Sequence, residues 1–401
     1  MTDTAPDQAT ETRHGHGHGD RDLDREAVVF ARIEAFRRRR PRLRDEVVTL
    51  AHGAGGKASA SLLDAVFLPA FAPARDPERE LESATHDTTT SNDNAASRAP
   101  LTDAAVIALP TGERLAFSTD SYVVQPLRFP GGSAGTLAVH GTINDLAMMG
   151  ARPAAISAAF VLEEGLSIEI LRQVVADMAE AAAVAGVPVV TGDTKVVDRG
   201  AADGMYITTA GVGVIPAGRD LAAAAVAPGD VVLASGTMGD HGMAVMLARG
   251  DLALEADIES DTAPLHGLVE DLLTAAPATR WLRDSTRGGV GTVCNELARD
   301  ANVAVVIDEP LLPVRPAVAA ACELLGIDPL YVANEGKLIA VVAPEQADDA
   351  LAALRAHPHG GDAVRIGEIH PEPPGIVVLR TAMGGTRIVD MLVGDPLPRI
   401  C

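Results

Sequence analysis

Asp230–Leu247 reads DVVLASGTMGDHGMAVML. Val231–Ala234 is a short unbroken apolar run, the length of a strand buried on both faces. It passes directly into the glycine-rich start of an apolar helix. A strand feeding a glycine-rich helix entry is the unit of an α/β chain, and it recurs at Asp284–Ala298, DSTRGGVGTVCNELA. Downstream, the pattern predicts strands at Val303–Ile307 and Leu338–Val342, a helix near Glu345–His357, and strands near Val364–Ile369 and Ile376–Leu379.

Upstream, Arg114–Thr119 reads as a strand ending at Asp120, and Ser133 can cap a helix running to about Met149. Ser167 caps another, in which Ile168, Leu171, Val175, Met178 and Ala182 repeat at helical spacing until Gly186 ends it. Val187–Val190 predicts a buried strand feeding a GDTK turn, and Tyr206–Ile215 a further strand closed by Pro216. The sum is an α/β (α+β) protein of two domains, 47–216 and 217–380, followed by a flexible tail, 381–401, that carries Cys401.

Two segments stand apart. Residues 1–46 balance ten arginines against ten acids and hold HGHGHGD and RRRRPRLR, the composition of a disordered extension whose histidines have no dedicated role. Ala74–Pro100, with THDTTTSNDNAAS, reads as an exposed loop.

A net charge of −22 and a pI near 4.8 disfavour nucleic acid as a partner. No apolar run approaches the ~18 residues of a membrane span. Cys294, Cys322 and Cys401 are odd in number and lack CxxC spacing, which argues against a disulfide framework or a thiolate zinc site. A soluble cytoplasmic protein is expected. Of 33 basic residues only Lys57, Lys195 and Lys337 are lysines. Each follows a glycine-containing polar stretch, GAGGK, GDTK or NEGK, where a compact ammonium suits better than a planar fork.

Glycine-rich helix entries at His52–Lys57, Thr237–Gly242 and Thr286–Gly291 offer free N–H groups to anions. None matches GxxxxGK[ST] or a strand-linked GxGxxG, so together they point to a triphosphate held outside the familiar loops. Asp120, Asp145, Asp193, Asp240 and Asp284 lie at predicted strand ends or beside these glycines and could serve Mg²⁺, which needs only one or two carboxylates. For Asp240 and Asp284, caps and turns explain the residues equally well. Asn144 and Asp145 sit late in a helix, where such side chains cost stability. The chain ends GDPLPRIC, and Pro396 and Pro398 favour an extended arm from Gly394 to Cys401 that could carry a thiol roughly 20 Å.

LAHGAGGKAS, LAFSTDSYVV, GTINDLAMMGA, VTGDTKVV, SGTMGDHG, DSTRGGV, VANEGK and the terminal PLPRIC, in this order from Leu50 to Cys401, resemble the HypE family of hydrogenase-maturation carbamoyl dehydratases. That family belongs to the ATP-binding superfamily of aminoimidazole ribonucleotide synthetase, and the resemblance implies its two-domain fold. It implies that Cys401 receives a carbamoyl group from the carbamoyltransferase HypF. ATP-dependent dehydration then gives a thiocyanate, and the cyanide passes to iron on a HypC–HypD scaffold. Lys195 is implied as the charge-stabilising cation and Glu335 as the base. Gly53, Gly55, Gly56, Asp120, Asn144, Asp145, Thr191, Gly192 and Asp193 are implied as nucleotide-binding, with Asp120, Asp145 and Asp193 on Mg²⁺, in a homodimer. The residues alone leave two other readings: a kinase or synthetase acting on a free small substrate, which would not need Cys401, and a non-catalytic thiol carrier, which would not turn over ATP.

Overall fold

A computed structural model describes residues 43, 45–53, 55–71, 102–250, 256–394, 397 and 399–401. The extension, the Ala74–Pro100 loop, Pro396 and Pro398 therefore lie outside the described residues. By its contacts the chain divides into Met1–Glu46 with Ser61–Ala72, and Val47–Ala60 with Pro73–Cys401. The first unit shows helical turns at Leu63–Phe67 and Leu68–Phe71. The second unit holds two main sheets.

Its N-terminal sheet contains β1 (Ala105–Ala108), β2 (Arg114–Tyr122), β5 (Arg152–Glu163), β6 (Val189–Val197) and β7 (Met205–Ile215), in the order β1-β2-β7-β5-β6. All pairings are antiparallel except β5 with β6. A two-residue ribbon, β3 (Arg128–Phe129) and β4 (Gly132–Ser133), leads into helix α1 (Ala134–Met148). The Ser133 hydroxyl accepts the Thr136 N–H and the Thr136 hydroxyl accepts the Ser133 N–H, a reciprocal cap. Helix α2 (Ile168–Ala185) starts at Ser167 and ends at Gly186 in the left-handed region, φ 67°, as its sequence predicts. Both helices lie on one face of the sheet. The other face is open: Phe117 of β2 pairs with Val212 of β7, and both are exposed, as is Val214.

The second sheet orders β14 (Thr386–Val389), β13 (Ile376–Arg380), β10 (Ala304–Asp308), β12 (Val364–His370), β8 (Val231–Ala234), β11 (Leu338–Val342) and β9 (Thr279–Asp284). Helices α4 (His266–Ala275) and α7 (Ala347–Ala356) cover one face through Leu268, Leu272 and Leu354. Helix α5 (Gly289–Ala301) covers the other through Val293, Cys294 and Leu297. Helix α3 (Asp240–Ala248) follows the opening SGTMG turn, and α6 (Pro316–Leu325) packs beside it.

Helix α1 joins the two domains. Leu137, Val139 and Ile143 pack in the N-terminal core, while Ala147 and Met148 pack with Leu265 and Leu268 of the second domain. A helix buried all round has no polar stripe, so its few polar residues face specific partners.

Two expectations are corrected. GDTK is not a turn: β6 continues through it to Val197, paired in parallel with β5. Gly192 makes this possible, because a Cβ there would collide with the Ala158 carbonyl oxygen. Nor is β6 buried: Val189 and Val190 are exposed. Beyond residue 380, Thr386–Val389 adds β14 beside β13. The docked tail follows it, with Leu397 and Ile400 buried against α3 and Val332. Burying two such side chains contributes on the order of 2 kcal/mol each as an upper estimate. Among the described residues no helix is long and apolar enough to cross a membrane.

Candidate active site

Strand β2 sends alternate side chains toward α1. Ser118 donates to Asp145 Oδ2 at 2.5 Å, and Thr142 of α1 meets Thr209 of β7 at 2.6 Å, opposite Asp120 in register. Asp145 is thereby aimed at Asp284, which ends β9, and at Asp103, which precedes β1. One carboxylate oxygen from each of Asp103, Asp145 and Asp284 lies within 4.8 Å of the others. Burial raises all three pKa values, that of Asp284 to about 6, and Asp284 and Asp103 add to the rise at Asp145. Arg283 opposes this, pairing with Asp103 at 2.8 Å and Glu296 at 3.0 Å.

Glu335 lies in the loop before β11, 3% exposed, and its Oε1 has no hydrogen-bond partner among the described residues. Burial, then Asp284, Asp120 and Asp261, push its carboxyl well above the usual range, while Arg287 opposes them. Two contacts pin its backbone: its N–H donates to Asp261 Oδ1 at 3.0 Å, and its carbonyl accepts from Asn144 Nδ2 at 3.4 Å. Tyr122 is also buried, its hydroxyl packed against Gly141 of α1, where any Cβ would collide with it.

The tail meets β2 at this place. Val123 N–H donates to an oxygen of Cys401 at 3.1 Å, and Gln125 N–H to the Arg399 carbonyl at 3.3 Å. Arg399 pairs with Asp203 and donates to the Val123 carbonyl. Arg287, at the entry to α5, is held protonated above its ordinary value chiefly by the negative charge at Cys401, then by Asp120 and Glu335. Its Nη1 donates to the Gly53 carbonyl at 3.1 Å, which ties the His52–Lys57 loop to the same place. Gly56 is needed there, since a Cβ would stand 2.5 Å from the Leu392 carbonyl oxygen, and Gly55 has φ +75°. Lys57 pairs with Asp390 at 2.7 Å.

The expected residues thus fall into two groups. Cys401, Glu335, Asp120 and Gly53 converge around Arg287, and Asp145 neighbours Asp120 and Asp284. Thr191, Gly192, Asp193 and Lys195 do not. Asp193 shares a row with Ala159, Thr208 and Ser121 across the sheet. Thr208 and Ser121 are exposed on the open face, so Asp193 and Lys195 stand there too, opposite the side facing α1. They pair with one another at 2.5 Å, which lowers the Asp193 pKa. Within one chain Asp193 thus faces away from Asp120 and Asp145, because successive side chains of a strand point to opposite faces, so the expected Mg²⁺ set would need Asp193 from a second copy.

Asn144 bridges the domains. Its Oδ1 accepts the Leu265 N–H at 2.7 Å, and its Nδ2 donates to the Ala263 and Glu335 carbonyls at 3.0 and 3.4 Å. Its polar atoms are committed to an interdomain clasp. Asp240, whose Oδ2 accepts the Thr237 hydroxyl at 2.5 Å, is a helix-start residue, and Lys337 pairs with Asp261 at 3.4 Å beside a cavity of about 220 Å³. Sequence reasoning missed Asp103, Tyr122 and Arg287. Asp103 sits among ordinary loop residues, whereas Tyr122 and Arg287 lie within the quoted LAFSTDSYVV and DSTRGGV stretches.

The acid cluster fits a hard divalent cation such as Mg²⁺, which takes oxygen ligands and would relieve the mutual repulsion of three buried carboxylates. Arg287 and the glycine loop offer cationic and N–H partners suited to a triphosphate.

Residues 101–215 match the family described as AIR synthase related protein, N-terminal domain, and residues 227–380 its C-terminal domain. Carbamoyl dehydratase HypE of Rhodobacter capsulatus is 54% identical over 359 residues, 90% of this chain and 99% of that protein. Among solved structures, a HypE–HypF complex aligns with a TM-score of 0.72 and 43% identity, covering 83% of this chain and 100% of that one. HypE in complex with ATP aligns with a TM-score of 0.69 and 44% identity, covering 88% and 100%. With identity at this level across both domains, the chain belongs to the HypE family of carbamoyl dehydratases, with the two-domain AIR synthase fold.

Proposed function

We propose that this protein dehydrates a carbamoyl group carried on its own Cys401 to an S-cyanide, at the expense of ATP, as a donor of cyanide for hydrogenase iron. The observation that carries the reading is the docked tail: Val123 holds the Cys401 terminus in the field of Arg287, which also faces Glu335 and Asp120.

The conversion R–S–C(=O)NH₂ + ATP → R–S–C≡N + ADP + phosphate removes one oxygen and two protons from the carbamoyl group. Asp103, Asp145 and Asp284 would hold Mg²⁺ for ATP, which would supply the phosphoryl group that makes the carbamoyl oxygen a good leaving group. The residues of the chain do the rest. Glu335, raised by burial, is a carboxylate basic enough to take a proton from the carbamoyl nitrogen. Arg287 balances negative charge beside Cys401. The buried tail excludes water, which would otherwise hydrolyse the activated group.

Lys195 and Asp193 enter this scheme through a second copy. The open face carries exposed Phe117, Val212 and Val214 as well as the Lys195–Asp193 pair. A homodimer formed across it would cover the apolar patch and offer Thr191, Gly192, Asp193 and Lys195 to the partner's site. The carbamoyl donor would be a HypF carbamoyltransferase, as the HypE–HypF assembly among its structural relatives suggests. The acceptor would be a HypC–HypD scaffold in the cytoplasm, where cysteines such as Cys294, Cys322 and Cys401, none of them in a disulfide, stay reduced.

The test is intact-protein mass spectrometry after incubation with HypF, carbamoyl phosphate, ATP and Mg²⁺. The expected result is a carbamoyl adduct on Cys401, then loss of one water that depends on ATP. Loss of water from the Cys401→Ala protein, or none from the wild type, would overturn the reading.

A further inference from the structure

His241 is the second residue of α3, and its side chain is fully buried. Its Nε2 lies 2.7 Å from the carbonyl oxygen of Ile400, the residue preceding Cys401. A carbonyl only accepts, so Nε2 carries the proton. The other ring nitrogen, Nδ1, lies 2.8 Å from Ser260 Oγ, which already accepts the Thr262 N–H at 3.2 Å. The Ser260 hydroxyl hydrogen is then left for Nδ1, and burial keeps the imidazole neutral by lowering its pKa. Phe129 meets the ring edge-on, centroids 5.5 Å apart at 82°. Tautomer, protonation state and ring plane are all fixed, and the single outward donor points at the tail.

We propose that His241 is a positioning residue for Cys401: its Nε2–H anchors the Ile400 carbonyl and so holds the terminal thiol in the cleft between the domains. Two neighbouring bonds share the task, Gln125 N–H and Arg249 Nη2, both donating to the Arg399 carbonyl. A neutral hydrogen bond of this kind is strong enough to bias docking and weak enough to release the arm for loading. The catalytic consequence rests on the carrier reading of Cys401; the docking does not.

Glutamine and asparagine separate this role from a general structural one. The side-chain amide of Gln reaches about where Nε2 sits, and that of Asn about where Nδ1 sits, on the Ser260 side. His241→Gln should keep Cys401 as protected from iodoacetamide as in the wild type, within about twofold. His241→Asn should raise its alkylation rate about tenfold, scored on intact mass, and slow single-turnover dehydration by a similar factor. Equal alkylation of the two variants would overturn the proposal. Should His241→Asn fail to fold, long-range ¹⁵N–¹H spectra of the wild-type chain serve instead. They should show the Nε2–H tautomer, with that resonance moving when residues 400–401 are deleted; an unmoved resonance would equally overturn it. If Cys401 is not the carrier, Cys401→Ala retains product formation while the contrast in protection between Gln and Asn persists.

Discussion

The side-chain amide of Asn144, late in α1, donates to the main-chain carbonyl of Glu335 across the domain boundary at 3.4 Å, while its oxygen takes the Leu265 N–H at 2.7 Å. The helix that presents Asp145 to the acid cluster therefore also fixes the loop bearing the proposed base. Asn144→Ala leaves a buried N–H and two carbonyls without partners and should lower unfolding free energy by about 2–4 kcal/mol. Chemical denaturation measures this. Nucleotide affinity, followed by calorimetry, should change far less, which separates a clasp from a ligand contact.

Glu335→Gln keeps size and hydrogen bonding but cannot accept a proton. Carbamoylated Cys401 should accumulate, with dehydration slowed by roughly 10²-fold or more. In the wild type the carboxyl is raised well above its ordinary range, so the base form is lost as pH falls, and the dehydration rate should rise with pH through that raised value. Single-turnover assays across pH should show this limb, and the Glu335→Gln protein should lack it.

The acid cluster makes a stability prediction with a definite sign. Asp284 titrates at about 6 in the fold against 3.8 unfolded. Between those values the folded state holds a proton that the unfolded chain has lost, so stability falls as pH rises through this window without metal. A divalent cation favours the charged form and should reverse the loss. Thermal melts should show Mg²⁺ stabilising the protein more at pH 8 than at pH 5. Asp284→Asn should raise the metal-free melting temperature at pH 8 and remove the Mg²⁺ effect.

Lys195 tests the dimer. If it serves the partner's site, mixing Lys195→Ala with Cys401→Ala subunits should restore dehydration that neither shows alone, to about a quarter of wild type after statistical exchange. Val212→Glu on the same open face should give monomers by sedimentation and abolish that rescue.

Much of the local structure was legible in the sequence because it is set by short-range rules. Ser133, Ser167 and Gly186 cap their helices as their side chains and φ preferences require. The terminal cysteine, the glycine entries and the order of motifs gave the family. The meaning of Asp193, Lys195 and Asn144 was decided only by tertiary structure. A strand's two faces are assigned by register across the whole sheet, so Asp193, seventy-three positions after Asp120, could be placed on the opposite side only once β7 and β5 lay between them. Asn144 looked like a ligand contact because a polar residue in an apolar helix costs energy. The partners that offset that cost are backbone groups at 263, 265 and 335, and only the packing of one domain on the other brings them within reach.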